Sequence, residues 1–328
     1  MKPSRLATVL QSLMAQRWPA FIWGPPGVGK SSVVRAVAAG ARLPVIDLRA
    51  SLLDPTDLRG IPSIENGRAV WCPPDFLPTA DAPPGVLFLD EINAAPPLVQ
   101  ASLYQLVLDR RIGEYALPAG WWIVAAGNRQ QDRAVTFRMS SALSNRFIHL
   151  DFEIDVADWR AWAIERRLDP LVISFVAARP ALLAQDPGDA AAYPTPRSWE
   201  MLSDVIRAFG GYKACADLAA GIVGEGAAIE FAAFLKKALT DEDMLRIVAD
   251  PENAKIPKSL DGIYTLTSWL ACSASDATMS KAGAVLLNRI PPEFGVVLAR
   301  DLMKGRPAFA REPGYRTFIT NHGHLLVR

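Results

Sequence analysis

One string of residues constrains the fold of this chain more than any other feature. Residues 24–31 read Gly-Pro-Pro-Gly-Val-Gly-Lys-Ser and fit the pattern G-x-x-x-x-G-K-[ST]. An apolar run over 20–23 precedes the string, and a helical pattern over 31–41 follows it. In such a strand–loop–helix unit the glycines turn backbone amides toward a phosphate chain, and the helix directs its positive end at the same place. The sequence therefore predicts a phosphate-binding loop, or P-loop, in an α/β fold.

The rest of the first half supports that fold class. Short runs that are apolar along their whole length alternate with helical patterns, which is typical of a parallel sheet covered on both faces. The predicted strands are 20–23, 44–47, 86–89, 121–126 and 147–152, and the predicted helices are 5–17, 31–41 and 97–109. We expect an α/β P-loop domain over residues 1–152.

Two insertions interrupt this alternation. The segment 48–85 is too long for an ordinary connection, and within Ile64–Trp71 it contains Asn66-Gly67, a strong signal for a tight hairpin turn. A second insertion, Arg111–Gly120, has turn residues at both ends. We predict projecting hairpins near 61–73 and 110–121 that do not join the main sheet.

Strand patterns end near residue 155, and the second half is helical. Thr195 and Pro196 form a helix start, with threonine as the N-cap and proline at the first helical position. The predicted helices are 156–184, 197–209, 225–248, 260–272, 279–289 and 292–304.

Charge and cysteine content exclude several classes of protein. Lys and Arg number 35 against 34 for Asp and Glu, a net charge of +1, so bulk charge does not favour nucleic acid or an anionic membrane. The cysteines Cys72, Cys215 and Cys272 are far apart and fit neither a disulfide framework nor a zinc site. No run approaches the length of a membrane-spanning helix, and no signal peptide is evident. We expect a soluble cytoplasmic protein.

The P-loop predicts the ligands ATP and Mg²⁺. Lys30 is expected to reach the terminal phosphates, and Ser31 to supply an oxygen to the metal ion. The predicted nucleotide-binding residues are Gly24, Pro25, Pro26, Gly27, Val28, Gly29, Lys30, Ser31, Ser32 and Asp90.

Polar residues that end two later strands complete the predicted site. Asp90 and Glu91 follow the apolar strand Val86–Leu89, as in a Walker B motif; Asp90 would hold Mg²⁺ and Glu91 would polarise an attacking water. The second acid favours hydrolysis over transfer to a small molecule. Asn128 ends the next strand and would reach the γ-phosphate if that strand lies between the other two; the alternative is a turn-capping asparagine.

Arginines distant in sequence are candidates for completing the site. Arg146 precedes the last predicted strand and suits an arginine finger for a neighbouring subunit, which would contribute roughly 10³–10⁵ in rate; the alternative is a surface or salt-bridged arginine. Arg133 and Arg138 compete for this role. Arg197, at a helix start in the second half, would fold over the nucleotide from a lid.

These motifs together resemble the MoxR-like branch of the AAA+ ATPases over about residues 5–210. The matching strings are the P-loop, Asp54–Gly60, Asp90–Pro97, Gly127-Asn128 and Arg146-Phe147. The resemblance implies an AAA+ domain over 1–152 and a helical lid over 153–240. The further helical region predicted over 241–328 has no match in the family. The resemblance also implies homo-oligomeric, usually hexameric, rings that remodel protein clients, commonly with a separate von Willebrand A domain protein. Arg129 departs from the family, which usually has proline there.

Two alternative functions remain open at the level of sequence. An AAA+ motor acting on DNA would need basic hairpins, and these carry Glu65 and Glu114 beside their arginines. A monomeric P-loop kinase of a small molecule would leave Glu91, Asn128 and Arg146 without a joint purpose. The preferred prediction is an ATP-hydrolysing ring motor that acts on protein.

Overall fold

The computed structural model describes residues 1–132 and 136–325. The chain divides into two compact units, Met1–Asp155 and Val156–Arg328. The strands of the first unit are β1 Ala20–Trp23, β2 Val45–Arg49, β3 Ile61–Glu65, β4 Arg68–Cys72, β5 Val86–Asp90, β6 Arg111–Ile112, β7 Tyr115–Ala116, β8 Trp122–Gly127 and β9 Ile148–Asp151. Its helices are α1 Pro3–Gln16, α2 Lys30–Gly40, α3 Pro55–Arg59, α4 Pro97–Asp109 and α5 Ser141–Ser144.

The main sheet of the first unit is parallel, with strand order β2-β5-β8-β1-β9. The prediction of an α/β domain with a parallel sheet is confirmed. Strand β8 lies between β5 and β1, which meets the condition on which the prediction for Asn128 depended. The carboxyl ends of β5, β8 and β1 therefore adjoin at one edge of the sheet.

Both faces of this sheet are buried, and this explains the continuously apolar strands. Successive side chains of a strand point to opposite faces. Leu87 and Leu89 accordingly belong to a core cluster that includes residues of α4, whereas Val86 and Phe88 pack with residues of α1 and α2. Both alternating sets of strand residues therefore lie in a core, one on each face of the sheet, and this favours apolar residues along the whole strand.

Both predicted insertions form antiparallel hairpins outside the main sheet. In the first, β3 pairs with β4, and the turn residues Asn66 and Gly67 have φ angles of 51° and 74°, as a type I′ turn requires. In the second, β6 pairs with β7 around Gly113, whose φ is 56°.

The second unit is helical over its described residues. Its α-helices are α6 Val156–Glu165, α7 Pro170–Ala178, α8 Pro196–Ala208, α9 Ala219–Val223, α10 Glu225–Leu235, α11 Asp241–Ala249, α12 Leu260–Cys272, α13 Ala277–Leu286, α14 Pro292–Gly305 and α15 Pro313–His322. The predicted start of α8 is confirmed, because Thr195 is the N-cap and its hydroxyl accepts from the amide of Ser198. The proposed division of this half at residue 240 stays a prediction.

Two of the predicted long helices are wrong, because each is two helices. The predicted helix 156–184 breaks where Asp169 caps α7 and Pro170 occupies its first turn; proline cannot continue a helix from before it. The predicted helix 225–248 breaks where Thr240 caps α11 by a reciprocal capping box with Asp243. Among the described helices, none is long and apolar enough to cross a membrane.

Candidate active site

The P-loop connects β1 to α2 at the carboxyl edge of the sheet. Gly27 and Gly29 have φ angles of 76° and 103°, a region that residues with side chains rarely adopt. Gly29 is the N-cap of α2, so the backbone turns sharply where the helix begins. The free amides and the positive dipole end of α2 favour a bound anion at this point.

The remaining predicted loop residues differ in their surroundings. The amide of Gly24 donates to the carbonyl of Gly127 at 3.3 Å, which ties the start of the loop to the end of β8. Val28 is buried in the core beneath the loop. Pro25 and Pro26 are half-buried, and Ser32 lies on the exposed side of α2.

Lys30 is buried and bonded entirely to oxygen acceptors. Its Nζ donates to the carbonyls of Gly24 at 2.6 Å and Pro25 at 2.9 Å, and to Asn128 Oδ1 at 2.9 Å. Burial lowers the pKa of Lys30 to about 8, against the opposing attraction of nearby carboxylates, of which Asp90 is the strongest. The hydrogen-bond partners of the Lys30 ammonium are thus neutral carbonyl and amide oxygens, and none of them is a carboxylate.

Ser31 and Asp90 bring two oxygens together beside Lys30. The Ser31 hydroxyl donates to Asp90 Oδ2 at 2.9 Å. Burial raises the pKa of Asp90, and the like charge of Asp47 adds to the rise, while the bond from Ser31 and the charge of Lys30 oppose it. A hydroxyl and one carboxylate match the ligands of Mg²⁺, which binds through one or two carboxylates together with waters and substrate phosphates. The described residues contain no group of three or more His, Cys, Asp or Glu side chains placed to hold a metal ion.

Glu91 has an unusual backbone conformation and a partner that the sequence analysis missed. Its φ is 55°, a left-handed conformation that is costly for a residue other than glycine and is associated with functional sites. The hydroxyl of Ser51 donates to Glu91 Oε2 at 2.7 Å. Ser51 follows β2, and the pairing of Arg49 with Asp90 between β2 and β5 brings the two segments together. No sequence motif signals this contact, because the pairing of β2 with β5 is not written in the local sequence.

Asn128 is held in place by a second asparagine. Asn93 Nδ2 donates to the backbone carbonyl of Asn128 at 2.7 Å, and both residues are buried. Gly127 permits this approach, because a β-carbon there would lie 2.3 Å from Asn93 Oδ1 and 2.8 Å from Phe21 Cζ. Asn93 belongs to the string Asp90–Pro97, but the pattern of that string does not predict this contact.

Of the predicted arginines, Arg146 lies away from this cluster within the first unit. Arg146 is exposed in the turn between α5 and β9. Since Ile148 pairs with Ala20 at the start of β1, Arg146 lies at the amino edge of the sheet, opposite the P-loop of the same chain. Arg138 is exposed, and Arg133 lies outside the described residues. Arg197 is exposed in the first turn of α8, in the second unit.

A P-loop after β1, an acid pair after β5 and an asparagine after the strand between them define a P-loop nucleotide-binding domain. Residues 19–147 match the family model described as the AAA domain of the dynein-related subfamily. Over these residues the first unit is similar to an AAA domain, and it has the parallel sheet and the P-loop of that fold. No curated protein matches the chain significantly.

Solved structures show a more distant likeness. The Holliday junction branch migration motor RuvB of Thermotoga maritima is 18% identical, with a TM-score of 0.39, over 82% of this chain and 80% of that one. NtrX of Brucella abortus in complex with ADP is 15% identical, with a TM-score of 0.45, over 98% of this chain and 68% of that one. At TM-scores below 0.5 neither likeness supports an argument about function.

Proposed function

We propose that this chain is an ATP-hydrolysing ring motor of the MoxR-like branch of the AAA+ ATPases, and that it remodels or activates a protein complex. One observation carries the proposal. The groups suited to a Mg²⁺-nucleotide lie together at the carboxyl edge of the sheet, whereas Arg146 lies at the amino edge. Arg146 of one copy can therefore complete only the site of another copy.

At the carboxyl edge each side chain has a distinct proposed task. The P-loop amides and Lys30 bind the phosphates of ATP. Ser31 and Asp90 would hold Mg²⁺, which supplies neutralisation of the charge on the phosphate oxygens. Glu91 accepts a proton from the attacking water, and Asn128 orients that water against the γ-phosphate.

The structure around Arg146 supports a second copy at that edge. Four residues of β1 span about 13 Å at a rise of about 3.3 Å each, so the side chain is remote from its own P-loop. Arg146 has no side-chain hydrogen bond or ion pair with residues 1–132 or 136–325. The same edge exposes Trp18 at 58% and Ile148 at 39%, apolar surface that a neighbouring subunit would cover. An arginine finger supplied in this way contributes roughly 4–7 kcal/mol to lowering the barrier.

Arg197 keeps its proposed role as a lid arginine, and the ring is proposed to be hexameric. The proposed partners are a protein client and a separate von Willebrand A domain protein.

The surface of the hairpin β3–β4 favours a protein client over DNA. Ile61 and Ile64 of this hairpin are exposed to 76% and 82%. The acid Glu65 and the base Arg68 flank its turn, so the turn carries no net charge. Such a surface suits an apolar protein contact better than a phosphate backbone.

Complementation between two inactive variants tests the proposal. Glu91→Gln keeps Arg146 but cannot activate water, and Arg146→Ala keeps an intact P-loop side. Mixed in equal amounts, they should recover about a quarter of wild-type ATPase activity, because about that share of sites joins an intact Glu91 to a neighbour's Arg146.

The matched control replaces the Glu91→Gln subunit with the double variant Glu91→Gln/Arg146→Ala, which should recover no activity. Arg5→Ala, at an exposed arginine of α1, should behave as wild type. If the first mixture remains inactive although the subunits assemble, Arg146 does not serve a neighbour and the ring motor is refuted.

A further inference from the structure

The imidazole of His149 joins two segments of the first unit that are far apart in sequence. The indole Nε1 of Trp23 donates to His149 Nδ1 at 2.9 Å. On the other side of the ring, His149 Nε2 lies 2.8 Å from the carbonyl oxygen of Ser144 and 3.2 Å from its hydroxyl. Trp23 ends β1 immediately before the P-loop, and Ser144 ends α5 two residues before Arg146.

These two contacts require one form of the imidazole. An indole N–H can only donate and a backbone carbonyl can only accept. Nδ1 must therefore carry a lone pair and Nε2 must carry the hydrogen. The neutral Nε2–H tautomer satisfies both partners at once, whereas the other tautomer and the doubly protonated ring each break the bond from Trp23.

Aromatic neighbours fix the orientation of the ring. The His149 ring lies nearly parallel to that of Trp23, with ring centroids 5.9 Å apart and an interplanar angle of 22°, and its centroid lies 5.7 Å from that of Phe21. Phe21 in turn contacts Phe147 edge-on at 5.5 Å. Register explains the grouping, because Phe21 pairs with His149 and Trp23 lies two residues further on the same face of the sheet.

We propose that His149 is a positioning residue that couples the P-loop of one subunit to the arginine that the same subunit presents to its neighbour. The coupling rests on the proposed function of Arg146. A displacement of Trp23 when nucleotide enters or leaves the adjoining loop passes through the imidazole to Ser144 and so to the turn that carries Arg146. The occupancy of a subunit's own site thereby adjusts the arginine that this subunit supplies to the neighbouring site.

Two variants remove the link while keeping an aromatic ring in place. His149→Phe loses both polar contacts, and Trp23→Phe loses the indole donor together with part of the ring's packing surface. Each variant should bind ATP within about twofold of wild type, because no group proposed to touch the nucleotide changes. Turnover should fall by about tenfold to a hundredfold, as expected for a misplaced catalytic group, and the Hill coefficient for ATP should fall to about one. His149→Asn, which retains an acceptor near the position of Nδ1, should recover part of the cooperativity.

Placing His149→Phe in one subunit type at a time gives the decisive measurement. In the mixture described above, it should reduce the recovered activity when it is carried by the Glu91→Gln subunit, which donates Arg146. It should leave the recovery unchanged when it is carried by the Arg146→Ala subunit. Thermal melts of each variant check that the fold persists.

Equal losses in both placements would overturn the coupling in favour of a purely structural role, and so would the absence of a loss in either placement. An inactive parent mixture, in contrast, would overturn the proposed function itself and the coupling with it.

Discussion

ATP binding to this chain is expected to take up a proton at alkaline pH. Burial lowers the pKa of Lys30 to about 8, so the ammonium is protonated in only about a quarter of nucleotide-free molecules at about pH 8.5. Bound phosphates would return that pKa toward 10.5 by placing negative charge against Nζ. Binding should therefore take up about three quarters of a proton at about pH 8.5, and about a tenth of a proton at about pH 7.

Isothermal titration calorimetry in buffers of different ionisation enthalpy measures this uptake. At both pH values Mg²⁺-bound ATP is fully deprotonated, so the pH 7 experiment is the internal control. Lys30→Ala should not bind and serves as the blank. Intact binding at about pH 8.5 with an uptake below about 0.2 proton would refute the argument that bound phosphate recharges a buried lysine.

The lowered pKa also has a consequence for the nucleotide-free fold. Lowering the pKa of Lys30 from 10.5 to about 8 corresponds to a cost of about 3 kcal/mol for the charged form. This cost to the stability of the fold is fully present below pH 8. Between pH 8 and 10.5 the unfolded chain binds more protons than the folded one, so the cost decreases as the pH rises through this range. The Tm of nucleotide-free wild type should therefore rise over this range relative to Lys30→Met.

Two further substitutions test the site and its support. Glu91→Gln should bind ATP but hydrolyse it at least about a hundredfold more slowly, because an amide cannot take a proton from water; normal phosphate release would remove Glu91 from this role. Gly127→Ala should lower the free energy of unfolding by about 1–3 kcal/mol, since the new β-carbon would lie 2.3 Å from Asn93 Oδ1. Gly226→Ala, whose β-carbon meets no atom within 4 Å, is the control and should cause no loss. Equal urea midpoints for the two alanine variants would contradict the packing argument.

The helical half shows where local patterns mislead. Apolar periodicity continues across Asp169-Pro170 and across Thr240, so both regions were predicted as single helices. The breaks depend on side chains that cap the following helix, at Asp169 and Thr240. At Asp169 the signal was local, because Pro170 cannot lie in a helix interior. At Thr240 the residue tolerates a helix interior as well as a cap, and tertiary packing decides between them.

The positioning residues show a different limit. No local motif predicts the contacts of Ser51, Asn93 and His149. Each of these residues meets a partner that lies on, or directly after, a different strand. Ser51 meets Glu91 only because β2 pairs with β5, and His149 meets Trp23 only because β9 pairs with β1. A single sequence does not state which strands are neighbours.

Local sequence patterns established the α/β class, the position of the P-loop and the identity of the acids at the end of β5. These features depend on local spacing and on the period of apolar residues, which the order of amino acids contains directly. The contact of Asn128 with Lys30, the contact of Ser51 with Glu91 and the position of Arg146 at the opposite edge of the sheet were visible only in the folded chain. Those relations follow from strand order and register, which arise when distant segments bury their apolar faces against one another.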